Sequence, residues 1–142
     1  MRYILFIAAI VSLMTIEISA KTAWADSQND AAGILDDMVF IGHVGPKGGN
    51  ANGEDEVVFE NGQFFSTSCT KYGFGTATYI ASRDGDNITF TATTRSPKHG
   101  QIEWQGKIVG KEIEASYIWT KERWYWFDAY EESWLKARLK KD

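Results

Sequence analysis

The chain has 142 residues, of which 44% are hydrophobic and 14% aromatic, and its net charge is −4. This length fits one domain, and so high an aromatic content excludes a disordered chain. Basic residues cluster only in the tail at residues 136–141. Binding to nucleic acid is therefore not expected, because neutralising phosphates requires clustered lysine and arginine.

Residues 1–25 have the features of an export signal peptide. Arg2 precedes an apolar run at residues 3–14, and Ala23-Trp24-Ala25 supplies a small-x-small cleavage pattern, with Ile18-Ser19-Ala20 as an alternative. The run is too short for a transmembrane helix, which needs about 20 residues. We therefore expect a periplasmic or secreted protein that begins at Asp26 and has no membrane span. Cleavage takes 15 basic and 19 acidic residues to 13 and 18, a charge of −5.

The mature chain reads as a polar lead-in followed by a single β domain at residues 38–142. In the lead-in, residues 26–37, the last seven residues could form one helical turn. Beyond it, short runs rich in β-branched and aromatic residues alternate with glycine-containing turns about every ten residues, which is typical of a sandwich or barrel. No helical period interrupts them, so parallel βαβ units are not expected. The predicted strands are residues 38–43, 54–60, 63–68, 76–82, 87–96, 101–109 and 112–120.

Turn dipeptides predict how these strands pair. Asp84-Gly85, Gly110-Lys111 and Asn61-Gly62 each indicate a two-residue hairpin turn. In every hairpin one face is then apolar, and the short link at residues 97–99 joins two of them into a continuous ribbon. The predicted inward-facing neighbours are Tyr79–Phe90, Ala81–Ile88, Ile108–Ile113, Trp104–Tyr117, Ile102–Trp119, Phe59–Phe64, Ala92–Trp104 and Phe90–Gly106.

An antiparallel ribbon with one apolar face would leave exposed edges if it stayed open. Closure into a barrel removes them, and large residues beside small ones suit a concave interior. The sequence therefore predicts an all-β, antiparallel up-and-down meander that closes into a roughly eight-stranded barrel.

Two arrangements fit the carboxyl end. In the first, residues 124–130 form the last strand, which carries Trp124, Trp126 and Tyr130 on the aromatic face and precedes a helix. In the second, they form an elaborated loop before a final strand at residues 134–140. The alternation of apolar and basic residues in that final segment favours the second arrangement.

The position of Asp128 depends on this choice. As part of a strand it would face inward opposite Ala115, where a buried carboxylate must be paired or protonated. There it could anchor a polar group of a ligand or accept a hydrogen bond from Tyr79. As part of a loop it would face solvent.

Residues that support catalysis are sparse. His43 and His99 are the only histidines and lack the spacing of a zinc motif. Cys69 is the only cysteine, so no intramolecular disulfide can form, and no sequence neighbour indicates a reactive thiolate. We interpret Cys69 as a buried thiol, with an intermolecular bridge or ligand attachment as the alternative. An enzyme that uses Asp128 or Cys69 is the least favoured function, and neither a metal nor another cofactor is expected.

The aromatic residues fit either a packed core or a lined pocket, because an eight-stranded barrel can fill itself or hold one small ligand. We expect a non-catalytic protein that binds a small, partly apolar or amphiphilic ligand. The alternative is a protein-interaction module, such as an inhibitor of an exported hydrolase, that works through the glycine-rich loop at residues 45–53. The candidate ligand-binding residues are Tyr79, Trp104, Tyr117, Trp119, Trp126 and Asp128.

Two segments carry a family resemblance. One is Phe59-Glu60-Asn61-Gly62-Gln63-Phe64 with Ser66, Ser68, Cys69 and Gly73-Phe74, and the other is Trp104-Gln105-Gly106-Lys107 followed by Trp119-Thr120-Lys121. Together they resemble an uncharacterised family of small exported bacterial proteins whose architecture is similar to calycin or lipocalin-like barrels. The first strand has Phe40-Ile41-Gly42 where true lipocalins carry Gly-x-Trp. The resemblance covers residues 38–142, implies a barrel and assigns no reaction.

Overall fold

Eight antiparallel strands form a closed barrel in the computed structural model, which describes residues 33–140. Each strand pairs with the next along the chain, and the last pairs with the first. The predicted all-β, up-and-down, eight-stranded barrel is confirmed. The expected signal peptide, its cleavage sites and residues 26–32 lie outside the described residues. The strands are β1 (Met38–Pro46), β2 (Gly53–Glu60), β3 (Gln63–Ser66), β4 (Ala77–Asp84), β5 (Asn87–Ser96), β6 (Gly100–Val109), β7 (Glu112–Lys121) and β8 (Ala129–Leu139), and the short helix α1 (Thr67–Thr70) follows β3.

Two of the three predicted hairpin registers are confirmed. Phe59 pairs with Phe64 across β2 and β3, and Trp104 pairs with Tyr117 across β6 and β7. The predicted placement of Phe90 beside Gly106 is also confirmed. A Cβ atom at Gly106 would lie 2.4 Å from the Phe90 ring, so the absent side chain is what admits that ring.

The predicted register of the β4–β5 hairpin is wrong by two residues. Tyr79 pairs with Ala92 and Ala81 with Phe90, and the two turn residues are Gly85 and Asp86. A type I′ turn needs positive φ at both central residues, whereas here only Gly85, the first one, has it, at 59°. This is the pattern of a type II′ turn, in which glycine takes the first position. Side chains alternate with a period of two, so the shift leaves every residue on its predicted face.

Other strand ends also differ from prediction: β1 continues to Pro46 rather than to residue 43, and β4 to Asp84 rather than to residue 82. Strand β3 ends at Ser66 rather than at residue 68, because the backbone turns into α1, where the Ser68 amide donates to the Asp55 carboxylate over 3.0 Å. At the carboxyl end the loop alternative is confirmed, and β8 begins five residues before the predicted residue 134.

The inward strand position of Asp128 is therefore wrong, since Ala115 pairs with Leu135 instead. Trp124 and Trp126 belong to the loop between β7 and β8 and do not continue the inner aromatic face, and Tyr130 lies exposed on β8.

Aromatic rings fill the middle of the barrel. Phe59 is fully buried, and its ring centroid lies 5.0–6.2 Å from those of Phe40, Phe64, Tyr79 and Phe90. Three of these four pairs are edge-to-face, an arrangement that aromatic quadrupoles favour. The stack continues through Phe64 to Trp104 and then to Tyr117, so that it runs along the barrel axis.

A turn at residues 33–37 covers one end of the barrel. Leu35 is fully buried there, and the Tyr79 hydroxyl donates to Asp36 over 2.8 Å and accepts from the Leu35 amide over 3.1 Å. Burial and the Asp36 hydrogen bond raise the pKa of Tyr79 to about 12. We call this the capped end, and the opposite end, which carries α1, the α1 end.

Candidate functional site at the α1 end

Four connections meet at the α1 end. They are residues 47–52, residues 67–76 with α1, residues 97–99 and residues 122–128. The three strand connections at the capped end are two-residue turns, so most of the described residues outside the strands lie at the α1 end. Functional residues concentrate on loops that a rigid scaffold positions, which makes this end the candidate site.

Two half-buried rings lie where the barrel interior meets this end. Tyr117 stacks on the buried Trp104, with centroids 4.3 Å apart, and Trp119 follows two residues later on the same face of β7. The Trp119 indole N–H donates to the His99 carbonyl over 2.6 Å, which fixes the ring against the β5–β6 turn. We call the part of the α1 end formed around Tyr117 and Trp119 the mouth of the barrel. Burial raises the pKa of Tyr117 to about 12, so the phenol is neutral at physiological pH.

A buried carboxylate supports one wall of the mouth. Asp55 is 6% exposed, and one of its oxygens accepts from the Ser66 hydroxyl over 2.5 Å. The other accepts from the amides of Glu56 and Ser68. Charge-assisted bonds of this kind are the strong ones, and here they join β2 to the start of α1. Asp55 is therefore a positioning group that holds α1 in place.

Cys69, on α1, is half-buried rather than fully buried as expected, and it packs against the core beside this cluster. Burial raises the pKa of its thiol, which a hydrogen bond with Ser66 only partly opposes. A neutral thiol is a poor nucleophile.

We expect Cys69 in the folded protein to react with iodoacetamide at pH 8 at least tenfold more slowly than in the urea-unfolded chain. The reason is that both the raised pKa and burial reduce attack by the thiolate. Mass spectrometry of timed samples measures the two rates, and glutathione provides the rate of an unhindered thiol. Equal rates in the folded and unfolded states would mean that the thiol is accessible and reactive.

The six predicted ligand-binding residues do not form one site. Tyr79 belongs to the capped end, and Trp104 is buried in the core. Tyr117 and Trp119 lie half-buried at the mouth, where Tyr117 stacks on Trp104. The other two, Trp126 and Asp128, lie in the loop between β7 and β8, where Asp128 accepts from the backbone amide of Arg123 over 3.1 Å.

Sequence reasoning missed the polar part of the mouth. Asp55 has the same parity along β2 as the inward-facing Val57 and Phe59, so an inward carboxylate was detectable. Ser133 shares its face of β8 with Leu135 and is also buried.

The glycine-rich loop is exposed but is held by hydrogen bonds. The Lys47 amide donates to the Glu132 carbonyl, the Gly49 amide to the Pro46 carbonyl, and the Asn52 amide to the Val44 carbonyl. The indole of Trp134 also donates to the Gly49 carbonyl over 3.1 Å. These bonds give the loop one arrangement beside the outer wall of β8.

Two depressions cross the outer wall of the barrel, with volumes of about 710 and 500 Å³. They share Ile80, Thr91, Gln105 and Ser116, and Ile80 is 73% exposed. Half of the outward side chains there carry hydroxyl or amide groups and four others are charged, so this wall is largely polar, and Ile80 is its most exposed apolar residue.

Among residues 33–140, no group of three or more His, Cys, Asp or Glu side chains is placed to hold a metal ion. Within the same residues, no helix is long and apolar enough to cross a membrane. The chain matches no family model, no curated protein and no solved structure. The geometry of the α1 end is therefore the basis on which we infer function.

Proposed function

We propose that the protein is an exported, non-catalytic barrel that binds a small, partly apolar ligand at the mouth. The observation that carries the proposal is the pair of half-buried rings, Tyr117 and Trp119, at the end of the aromatic stack. Ligand sites typically combine such an apolar floor with a few polar groups. At the mouth these are the Tyr117 hydroxyl and Ser133, which pairs with Tyr117 across β7 and β8. The proposal includes a relationship to calycin-like barrels and membership of the exported family that the sequence resembles.

Packing in the barrel supports binding at the rim rather than in the interior. The interior below Trp104 is occupied by rings whose centroids lie 5.0–6.2 Å apart, so a ligand entering there would have to displace them. Displacing packed aromatic side chains costs several kcal/mol. A single-chain amphiphile could instead lay its apolar part over Tyr117 and Trp119 and keep its polar head in water.

We expect brominated lauric acid, below its micellar concentration, to quench tryptophan fluorescence saturably, because bromine quenches rings that it contacts. Trp119→Phe should remove a large part of the quenching, whereas the matched control Trp134→Phe, on the outer wall, should leave it unchanged. Tyr117→Ala should weaken binding at least tenfold, a loss of about 1.4 kcal/mol. Circular dichroism checks that each variant is folded.

Quenching that is linear and unsaturable, or unaffected by Tyr117→Ala, would contradict the proposal.

The competing function is a protein-interaction module. The ordered, exposed loop at residues 47–52 is the observation that favours it, since a preformed loop loses little entropy on binding. A protein-interaction module would show no quenching that depends on the amphiphile, and its binding to a partner protein would depend on Gly48–Asn52.

A further inference from the structure

The loop between β7 and β8 displays four consecutive aromatic residues to solvent. The exposed fractions are 95% for Trp124, 64% for Tyr125, 68% for Trp126 and 83% for Phe127. The hydrogen bond from the Arg123 amide to Asp128 closes the loop at its base, so the rings lie at its tip. Scattered exposed apolar residues are ordinary, but a contiguous cluster marks an interaction surface.

The orientation of the rings indicates what kind of surface they contact. Trp124 and Tyr125 lie edge-to-face at 77°, and Trp126 and Phe127 at 78°. The two rings of each pair are thus nearly perpendicular, and neither pair forms a flat platform on which a sugar or a base could stack. Rings that project in several directions can all be surrounded by lipid chains, which adapt to the shape of an inserted side chain. Tryptophan and tyrosine are enriched at the membrane–water interface, where an apolar ring with a polar edge is favoured.

A basic groove lies beside this loop. It has a volume of about 700 Å³, and its lining includes Arg95, Lys98 and Lys121, with Glu122 as the single acidic residue. In the part of the chain that the structure describes, none of the three basic side chains forms a salt bridge. Basic charge next to inserted aromatic residues is the combination by which proteins bind anionic lipid surfaces.

The basic surface continues towards α1. The rings of Tyr72 and His99 are 5.7 Å apart, which places the segment after α1 against the β5–β6 turn. Tyr72 is 50% exposed, and the Lys71 ammonium lies 5.1 Å from its ring centroid. One side of the α1 end therefore carries exposed rings and unpaired cations together.

We propose that the α1 end docks on the surface of an anionic phospholipid bilayer. The rings of Trp124, Tyr125, Trp126 and Phe127 insert at the level of the headgroups, and Arg95, Lys98 and Lys121 face the lipid phosphates. This docking goes beyond ligand binding at the mouth and uses different residues, so either can hold without the other.

Sedimentation with vesicles tests the proposal, using phosphatidylcholine with and without about 30% phosphatidylglycerol, which supplies the negative surface potential that basic residues respond to. We expect binding to the anionic vesicles together with a blue shift of tryptophan emission. Trp124→Ser/Trp126→Ser should reduce this binding at least tenfold. The matched control Ile80→Ser removes an equally exposed apolar residue from the outer wall and should have no effect. All variants carry the same N-terminal residues, so the differences report on the loop.

Charge reversal examines the basic groove. Lys98→Glu/Lys121→Glu should weaken binding to the anionic vesicles by about fivefold or more for each lysine, and added salt should have the same effect in the unaltered protein. No vesicle binding, or binding that survives Trp124→Ser/Trp126→Ser, would overturn the proposal, as would equal affinity for vesicles without phosphatidylglycerol. Monomeric brominated laurate distinguishes binding at the mouth from docking on lipid, because its binding should persist in Trp124→Ser/Trp126→Ser and be lost in Tyr117→Ala.

Discussion

Phe59→Ala should lower the free energy of unfolding by about 3–5 kcal/mol, the usual cost of removing a fully buried phenylalanine. The ring of Phe59 contacts four other rings at centroid distances of 5.0–6.2 Å. The closed, hydrogen-bonded barrel limits how far the surrounding strands can move inward to fill the space. Urea denaturation followed by circular dichroism measures the loss.

Phe65→Ala is the matched control. Phe65 lies on β3, next to the buried Phe64, but faces the other side and is only half-buried. Its truncation removes the same atoms, but folding buries less of their apolar surface. The expected loss in the free energy of unfolding is therefore about half as large or smaller. Equal losses for the two variants would show that the aromatic stack is not the centre of the core.

The inward position of Phe59 is predictable because its causes are local. Alternation along β2 assigns the face, and Asn61-Gly62 can adopt positive φ at both positions, here 50° and 72°, which fixes the hairpin. Closure into a barrel follows from the need to pair the edges of such a ribbon. Most of the architecture is therefore encoded by periodicity and turn chemistry within short segments.

The β4–β5 register is not determined in this way. Asp84-Gly85 and Gly85-Asp86 are both acceptable turn dipeptides, and they differ by two residues in the pairing that they impose. A shift of two preserves both faces, so the hydrophobic pattern cannot distinguish them. Contacts with segments distant in sequence accompany the observed register, such as those of Tyr79 with Asp36 and Phe59.

The aromatic loop shows a different limit of the sequence. The alternation of Trp124, Trp126 and Tyr130 fits an inward-facing strand, but β8 already pairs with both β7 and β1 and closes the barrel. No edge is left for residues 124–127 to join, so they are exposed. The candidate site at the α1 end depends on this outcome, because the loop, α1 and the β5–β6 turn meet only after the barrel has closed.

Alkaline pH should destabilise the protein between pH 10 and 12. Folding raises the pKa of both Tyr79 and Tyr117 from about 10 to about 12, chiefly because burial disfavours the charged phenolate. The folded state therefore holds protons that the unfolded chain releases. This contribution to stability is complete below pH 10 and is lost as the pH rises through 12. A shift of two units corresponds to at most about 2.7 kcal/mol for Tyr79, and to less for the half-buried Tyr117.

Urea denaturation at half-unit pH intervals, together with ultraviolet absorbance of the phenolates, tests this dependence. Tyr79→Phe should make the decline between pH 10 and 12 shallower, and at neutral pH it should cost about 1 kcal/mol because Asp36 and the Leu35 amide lose a partner. Tyr72→Phe, on the exposed surface of the α1 end, should follow the unaltered protein at every pH. A decline that is as steep in Tyr79→Phe as in the unaltered protein would show that Tyr79 does not contribute to it. The pH dependence would then come from Tyr117, at the mouth, and from the other groups whose pKa folding raises, which are Cys69, Lys47 and Tyr130.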